Sequence, residues 1–218
     1  MKGLFITFEG SEGCGKSTQV TLLAGRLHSL GYIVHVRREP GGTPIGEELR
    51  ETLKHSKAND AMTPEAELLL MNASRAQLVR EFIRPALARG EVVICDRFYD
   101  STTAYQGYGR GLDLPTVKTV IDLAVGDTRP NLTLLLAVPP EVSAERLRSR
   151  QSTLPFIRDR IEEADRKFFE RVARGYEDIA KAEPQRLRRI DATGDVETVR
   201  QAVWHEVERL LPPSNART

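Results

Sequence analysis

The sequence predicts an α/β fold built on a central parallel sheet of five strands with flanking helices. Three observations carry that expectation. Strand-like runs alternate with helical patterns, as repeated βα units require. The strand candidates are apolar without alternation, as strands covered on both faces must be. Residues Gly10-Ser11-Glu12-Gly13-Cys14-Gly15-Lys16-Ser17 spell G-x-x-x-x-G-K-S between the first strand and the first helix, which is the context a phosphate-binding loop needs. A chain of 218 residues suits a single domain, expected over 1–211, with a frayed tail at 212–218.

The elements follow in order. Leu4–Glu9 is the first strand, and the helix Lys16–Leu30 ends where Gly31 supplies a C-cap. Ile33–Arg37 is the second strand, followed by a short helix at Gly46–Leu53. Thr63-Pro64 reads as an N-cap with proline at the first helical position, opening a long helix Pro64–Arg89 closed by Gly90. Val92–Cys95 is the third strand, Leu114–Ala124 a helix, Leu132–Val138 the fourth strand and Pro140–Arg150 a helix. Ile161–Lys181 is a helix, Leu187–Ile190 the fifth strand and Val196–Leu210 the last helix.

Composition excludes several classes. The chain is 40% hydrophobic and 29% charged, with a net charge of +1. That balance gives no electrostatic case for nucleic acid or a membrane surface. No apolar run reaches the roughly 18 residues a transmembrane helix needs, and Met1-Lys2-Gly3 leads directly into the first strand. Cys14 and Cys95 make no disulfide framework; they read as small buried residues in a reducing, cytoplasmic setting.

In the loop, backbone N–H groups turn inward and the following helix adds the positive end of its dipole. Lys16 can reach β- and γ-phosphates, and the Ser17 hydroxyl can ligate Mg²⁺. In an open parallel sheet, ligands gather at the carboxyl ends of the strands. There the sequence places Arg37-Arg38-Glu39-Pro40-Gly41-Gly42-Thr43, Asp96-Arg97-Phe98-Tyr99-Asp100-Ser101 and Asp191-Ala192-Thr193-Gly194. Asp96 ends a buried strand where a nucleotide site puts a carboxylate for Mg²⁺, directly or through water. Arg97 can grip an acceptor phosphate with its fork and lower the repulsion between two phosphate anions.

With those segments the chain resembles the bacterial thymidylate kinases. The resemblance runs through Phe8–Ser17, Arg38–Thr43, Asp96-Arg97-Phe98 with Ser101, Ala104–Gly107, Arg129-Pro130, Asp159–Glu162 and Ile190–Thr193. It implies the P-loop nucleoside monophosphate kinase fold with a short lid, ATP and dTMP as substrates, Mg²⁺ as cofactor, and a homodimer formed through helices flanking the acceptor site. It assigns Gly10, Ser11, Gly13, Cys14, Gly15, Lys16, Ser17, Thr18, Asp191 and Thr193 to ATP. Arg38, Glu39, Pro40, Met71, Arg75, Arg97, Ser101, Thr102, Tyr105, Gln106, Asp159 and Glu162 go to dTMP. From spacing alone Met71 and Arg75 read as an apolar helix stripe with one snorkelling cation; the resemblance makes Arg75 the reader of the thymine carbonyl edge. Met71 stands where the family often has a stacking Phe, and can cover the ring with its polarizable thioether. Tyr105 matches the tyrosine beside the sugar, and Glu39-Pro40 a bond that is often cis.

Some members of the family carry an arginine inside the phosphate loop. This chain has Ser11-Glu12 there, so the resemblance moves that cation to a lid over about 148–160, delivering Arg150 or Arg158. Arg146 and Arg148 read as a solvated helix face. Glu12 is expected to hold a lid arginine or orient the acceptor phosphate. Two rival functions fit the loop: another nucleoside or nucleotide kinase on the same fold, and a nucleotide-controlled switch protein.

Overall fold

The computed structural model describes residues 3–56, 61–151 and 165–211, with the side chains of 150 and 151 left out. Five strands form one parallel sheet: β1 (Leu4–Glu9), β2 (Val34–Arg38), β3 (Val92–Asp96), β4 (Leu132–Ala137) and β5 (Leu187–Asp191). Their order is β2-β3-β1-β4-β5. The register sets Phe8 and Arg38 opposite Asp96, and Ala137 opposite Asp191. All the strand-end motifs therefore leave the sheet along one edge.

Successive side chains of a strand point to opposite faces, and here both faces are buried. Ile6, Phe8, Val92, Ile94, Leu134 and Leu136 pack on one side with Val20, Leu23, Leu27, Val199 and Val203. Those partners come from α1 (Lys16–Ser29) and α9 (Val196–Glu208). Phe5, Val93 and Cys95 pack on the other side with Leu78, Ile83, Val117 and Ile121. That side is covered by α3 (Pro64–Leu78), α4 (Arg84–Ala88) and α6 (Leu114–Val125). Leu135 and Leu187 meet Phe168, Val172 and Tyr176 of α8 (Arg166–Ala182). Among the described residues, no helix is long and apolar enough to cross a membrane.

Where the elements differ from expectation, a local cause is visible. The second helix, α2 (Pro44–His55), starts two residues before Gly46, because Thr43 Oγ1 accepts from Gly46 N and Pro44 takes the first helical position. The long helix expected over Pro64–Arg89 is interrupted by a π turn at Val79–Ile83; Pro85 has no N–H to continue the α ladder. The sequence reading missed α5 (Tyr99–Thr102) and the π-helical segment Thr103–Gly109 that extends it. The helix α7 (Pro140–Gln151) forms as expected. Arg158, Asp159 and Glu162 of the expected lid, the side chain of Arg150 and the tail 212–218 lie outside the described residues.

Candidate active site

The loop after β1 wraps tightly. Gly10 (φ +132°) and Gly13 (φ +73°) adopt backbone conformations costly for other residues. A Cβ would stand 2.4 Å from the Leu136 carbonyl at Gly10 and 2.9 Å from that of Ser143 at Gly13. Lys16 is buried, and its Nζ donates to the carbonyls of Gly10 at 3.1 Å and Ser11 at 2.8 Å. Burial and Arg97 oppose its charge, but Cys14, Glu12 and Asp96 outweigh them and hold its pKa above the ordinary lysine value. Gly10 and Ser11 thus shape the loop, while Glu12 to Thr18 line the cavity beside it. Ser17 Oγ donates to Asp96 Oδ2 at 3.1 Å, so the expected metal pair converges.

The turn after β3 sets Arg97 at φ +70°, a left-handed conformation rare outside glycine. Its guanidinium meets Glu12 Oε1 at 2.6 Å, Ser101 Oγ at 3.1 Å, and the hydroxyls of Tyr105 and Tyr176 at 3.3 Å each. Burial raises the Glu12 carboxyl, but Arg97 and Lys16 more than offset it, and its pKa falls well below the usual range. Among the described residues Glu12 pairs with Arg97; the lid arginines expected to meet it, Arg150 by its side chain and Arg158, lie outside them.

Beneath this pair lies Glu9, a fully buried carboxylate that the sequence reading did not single out. Its oxygens accept from the backbone of Phe98 at 2.8 Å, Ser101 Oγ at 2.5 Å and Tyr176 Oη at 2.9 Å. Burial, then Asp100, raises its pKa. Its only sequence signal is a carboxylate closing an apolar strand.

The next pocket is framed by the Glu39-Pro40 peptide, which is cis, by Met71 and Arg75 of α3, and by Ser101, Thr102, Tyr105 and Gln106. The π-helical segment presents the last two; such turns recur at functional sites. Arg75 is 2% exposed. Its Nε and Nη2 meet Glu39 Oε2 at 2.7 and 2.6 Å, Nη1 donates to Asn72 and Thr102, and Nη2 also approaches the Phe98 carbonyl at 3.3 Å. A guanidinium has five N–H donors, so all five are engaged within the protein. Burial outweighs Arg75 at Glu39 and pushes its pKa up to about 7. Arg38 is half-exposed at the rim, paired with Glu47 at 2.8 Å.

These groups surround one cavity of about 1120 Å³. The sequence reading missed three contributors from α2, Arg50, Lys54 and His55; Arg50 and Lys54, four residues apart on a helix, were the available signal. At the far end, Asp191 and Thr193 do not line the cavity; Asp191 Oδ1 caps the Thr193 N–H at 3.0 Å, and Ala192 and Gly194 are presented instead. Arg146 is not the solvated residue expected: it lines the cavity and donates to the carbonyls of Ala192 at 3.0 Å and Thr193 at 3.4 Å. Among the described residues no cluster of three or more His, Cys, Asp or Glu could hold a metal by itself.

The geometry is that of a G-x-x-x-x-G-K-S loop and an arginine-bearing turn meeting across a single cavity. A family model described as thymidylate kinase matches residues 8–203. A thymidylate kinase of Syntrophotalea carbinolica is 49% identical over 208 residues, covering 95% of this chain and 96% of that protein. One of Synechococcus sp. (strain JA-3-3Ab) is 51% identical over 209 residues, covering 95% and 97%. Among solved structures, thymidylate kinase from Ehrlichia chaffeensis matches with a TM-score of 0.76 at 34% identity, covering 95% of this chain and 99% of that one.

Proposed function

The chain belongs to the thymidylate kinase family, and on that premise we propose that Lys16, Arg97, Ser17 and Asp96 form the machinery of its reaction. That reaction is ATP-dependent phosphorylation of dTMP to dTDP. A phosphate oxygen of dTMP attacks the γ-phosphorus, the bond to the β–γ bridging oxygen breaks, and ADP leaves. The acceptor phosphate is already an anion, so no general base is needed. Arg97 holds and partly neutralises that phosphate, while Lys16 stabilises charge on the transferring group. The observation carrying this assignment is the approach of Arg97 to Glu12 at 2.6 Å, where the phosphate loop and the turn after β3 meet on the cavity.

Ser17 Oγ and Asp96 Oδ2 would hold Mg²⁺, an ion that takes one or two protein oxygens and completes its shell with water and phosphate. When bound it draws charge from the phosphoryl group. Arg150 or Arg158 of the lid, with Asp159 and Glu162, complete the charge pattern. Arg75 and Gln106 read the base, and Met71 covers it; Arg75 gives up its long contact with Phe98 to do so.

A homodimer is supported by apolar residues exposed on packed helices: Ile45 on α2, Leu69 on α3 and Leu123 on α6, the last 78% exposed. Two buried free cysteines suit a reducing cytoplasm. A coupled assay with ATP and a panel of dTMP, dUMP, UMP, CMP, AMP and thymidine tests the substrate. Preference for dTMP is expected; equal turnover of all acceptors would overturn it.

A further inference from the structure

Glu67 lies on α3, fully buried, one layer behind the wall of the acceptor pocket. Its Oε1 accepts from Gln106 Nε2 at 2.7 Å. Arg110 closes the other side, with Nε 3.3 Å from Oε1 and Nη2 3.0 Å from Oε2. The carboxylate is therefore charge-balanced, as a buried anion must be. Arg110 in turn lies against the Phe168 ring, 4.7 Å from its centroid. Gln106 is 2% exposed and borders the cavity, its backbone held in the π-helical segment.

We propose that Glu67 is a positioning residue for base selection, fixing which end of the Gln106 amide faces the pocket. An ionised carboxylate only accepts hydrogen bonds, whereas an amide can offer either a donor or an acceptor. Against Glu67, Gln106 has one favourable orientation, with the NH₂ toward the carboxylate. Its Oε1 then accepts no hydrogen bond from the described residues. An acceptor held at that wall suits a pyrimidine with a ring N–H between two carbonyls. It opposes cytosine, whose ring nitrogen there carries a lone pair. Discrimination by an unpaired or opposed polar group exceeds what apolar contact achieves. The inference rests on the reading of this cavity as the dTMP pocket.

The test is Glu67→Gln, which keeps the shape but lets the Gln106 amide take both orientations. With saturating ATP, the ratio of kcat/KM for dTMP to that for dCMP should fall about tenfold, with a raised KM for dTMP. The dTMP to dUMP ratio and the KM for ATP should stay within about twofold, because both bases carry the ring N–H and the donor site is remote. In a Gln106→Leu background the same change should have no further effect on the dTMP to dCMP ratio. A lowered melting temperature with an unchanged ratio, or an equal effect in the Gln106→Leu background, would overturn the assignment. If Glu67→Gln does not fold, Glu67→Asp, which keeps the charge but withdraws it from Gln106, should lower the ratio part-way; full discrimination would overturn the proposal. A wild type with no preference for dTMP over dCMP would instead refute the pocket reading on which the assignment stands.

Discussion

Glu12 of the loop after β1 and Arg97 of the turn after β3 are joined at 2.6 Å, which ties the phosphate loop to the turn proposed to receive the acceptor. Arg97 should therefore be indispensable. Arg97→Ala should lower dTMP phosphorylation at least about a thousandfold. ATP binding, measured by calorimetry, should persist, since Lys16 and the loop amides remain. Preserved turnover would remove the role assigned to Arg97.

The proposed metal pair, Ser17 and Asp96, has its own readout. Asp96→Asn and Ser17→Ala should each raise the Mg²⁺ concentration for half-maximal rate by about tenfold or more. A loss of activity with an unchanged Mg²⁺ midpoint would mean that these oxygens shape the loop without binding the ion.

Tyr176 bridges Glu9, Ser101 and Arg97 through one hydroxyl, at 2.9, 2.9 and 3.3 Å. Tyr176→Phe keeps the ring in its apolar cluster and removes the bridge. The kcat/KM for dTMP should fall about tenfold, from losing roughly one buried hydrogen bond, with the KM for ATP unchanged. Normal kinetics in the variant would limit the hydroxyl to stability.

Glu39 should make stability pH-dependent. Its carboxyl rises from 4.5 to about 7 through burial, against the pull of Arg75. Between those values the folded chain keeps a proton that the unfolded chain has released, so this contribution is complete below 4.5 and is lost as pH rises through 7. Glu39→Gln should flatten the fall in unfolding free energy, on the order of 1–3 kcal/mol, over that window. Parallel stability curves for the variant and wild type would refute this.

Most of the fold was readable in the chain, because its signals are local. Apolar strands next to Gly31 and Gly90 marked the βα units, and Thr63-Pro64 marked a helix start that the structure reproduces. The segment Tyr99–Gly109 was not readable. Its π-helical turns break the 3.6-residue period, and Gly107 and Gly109 weaken helix propensity. Glu9 escaped notice for another reason: the groups that satisfy it lie 89, 92 and 167 residues away in the chain. Arg146 looked like one of several surface arginines, yet it reaches carbonyls 46 and 47 residues further on.

The sequence by itself determined the donor loop, the parallel α/β architecture and the family, because each is written in adjacent residues and short periods. Only the tertiary structure decided which charges meet. Glu12 takes Arg97, Glu39 takes Arg75, and Glu67 takes Arg110. The energy of an ion pair depends on separation and burial in space, and neither can be read from distance along the chain.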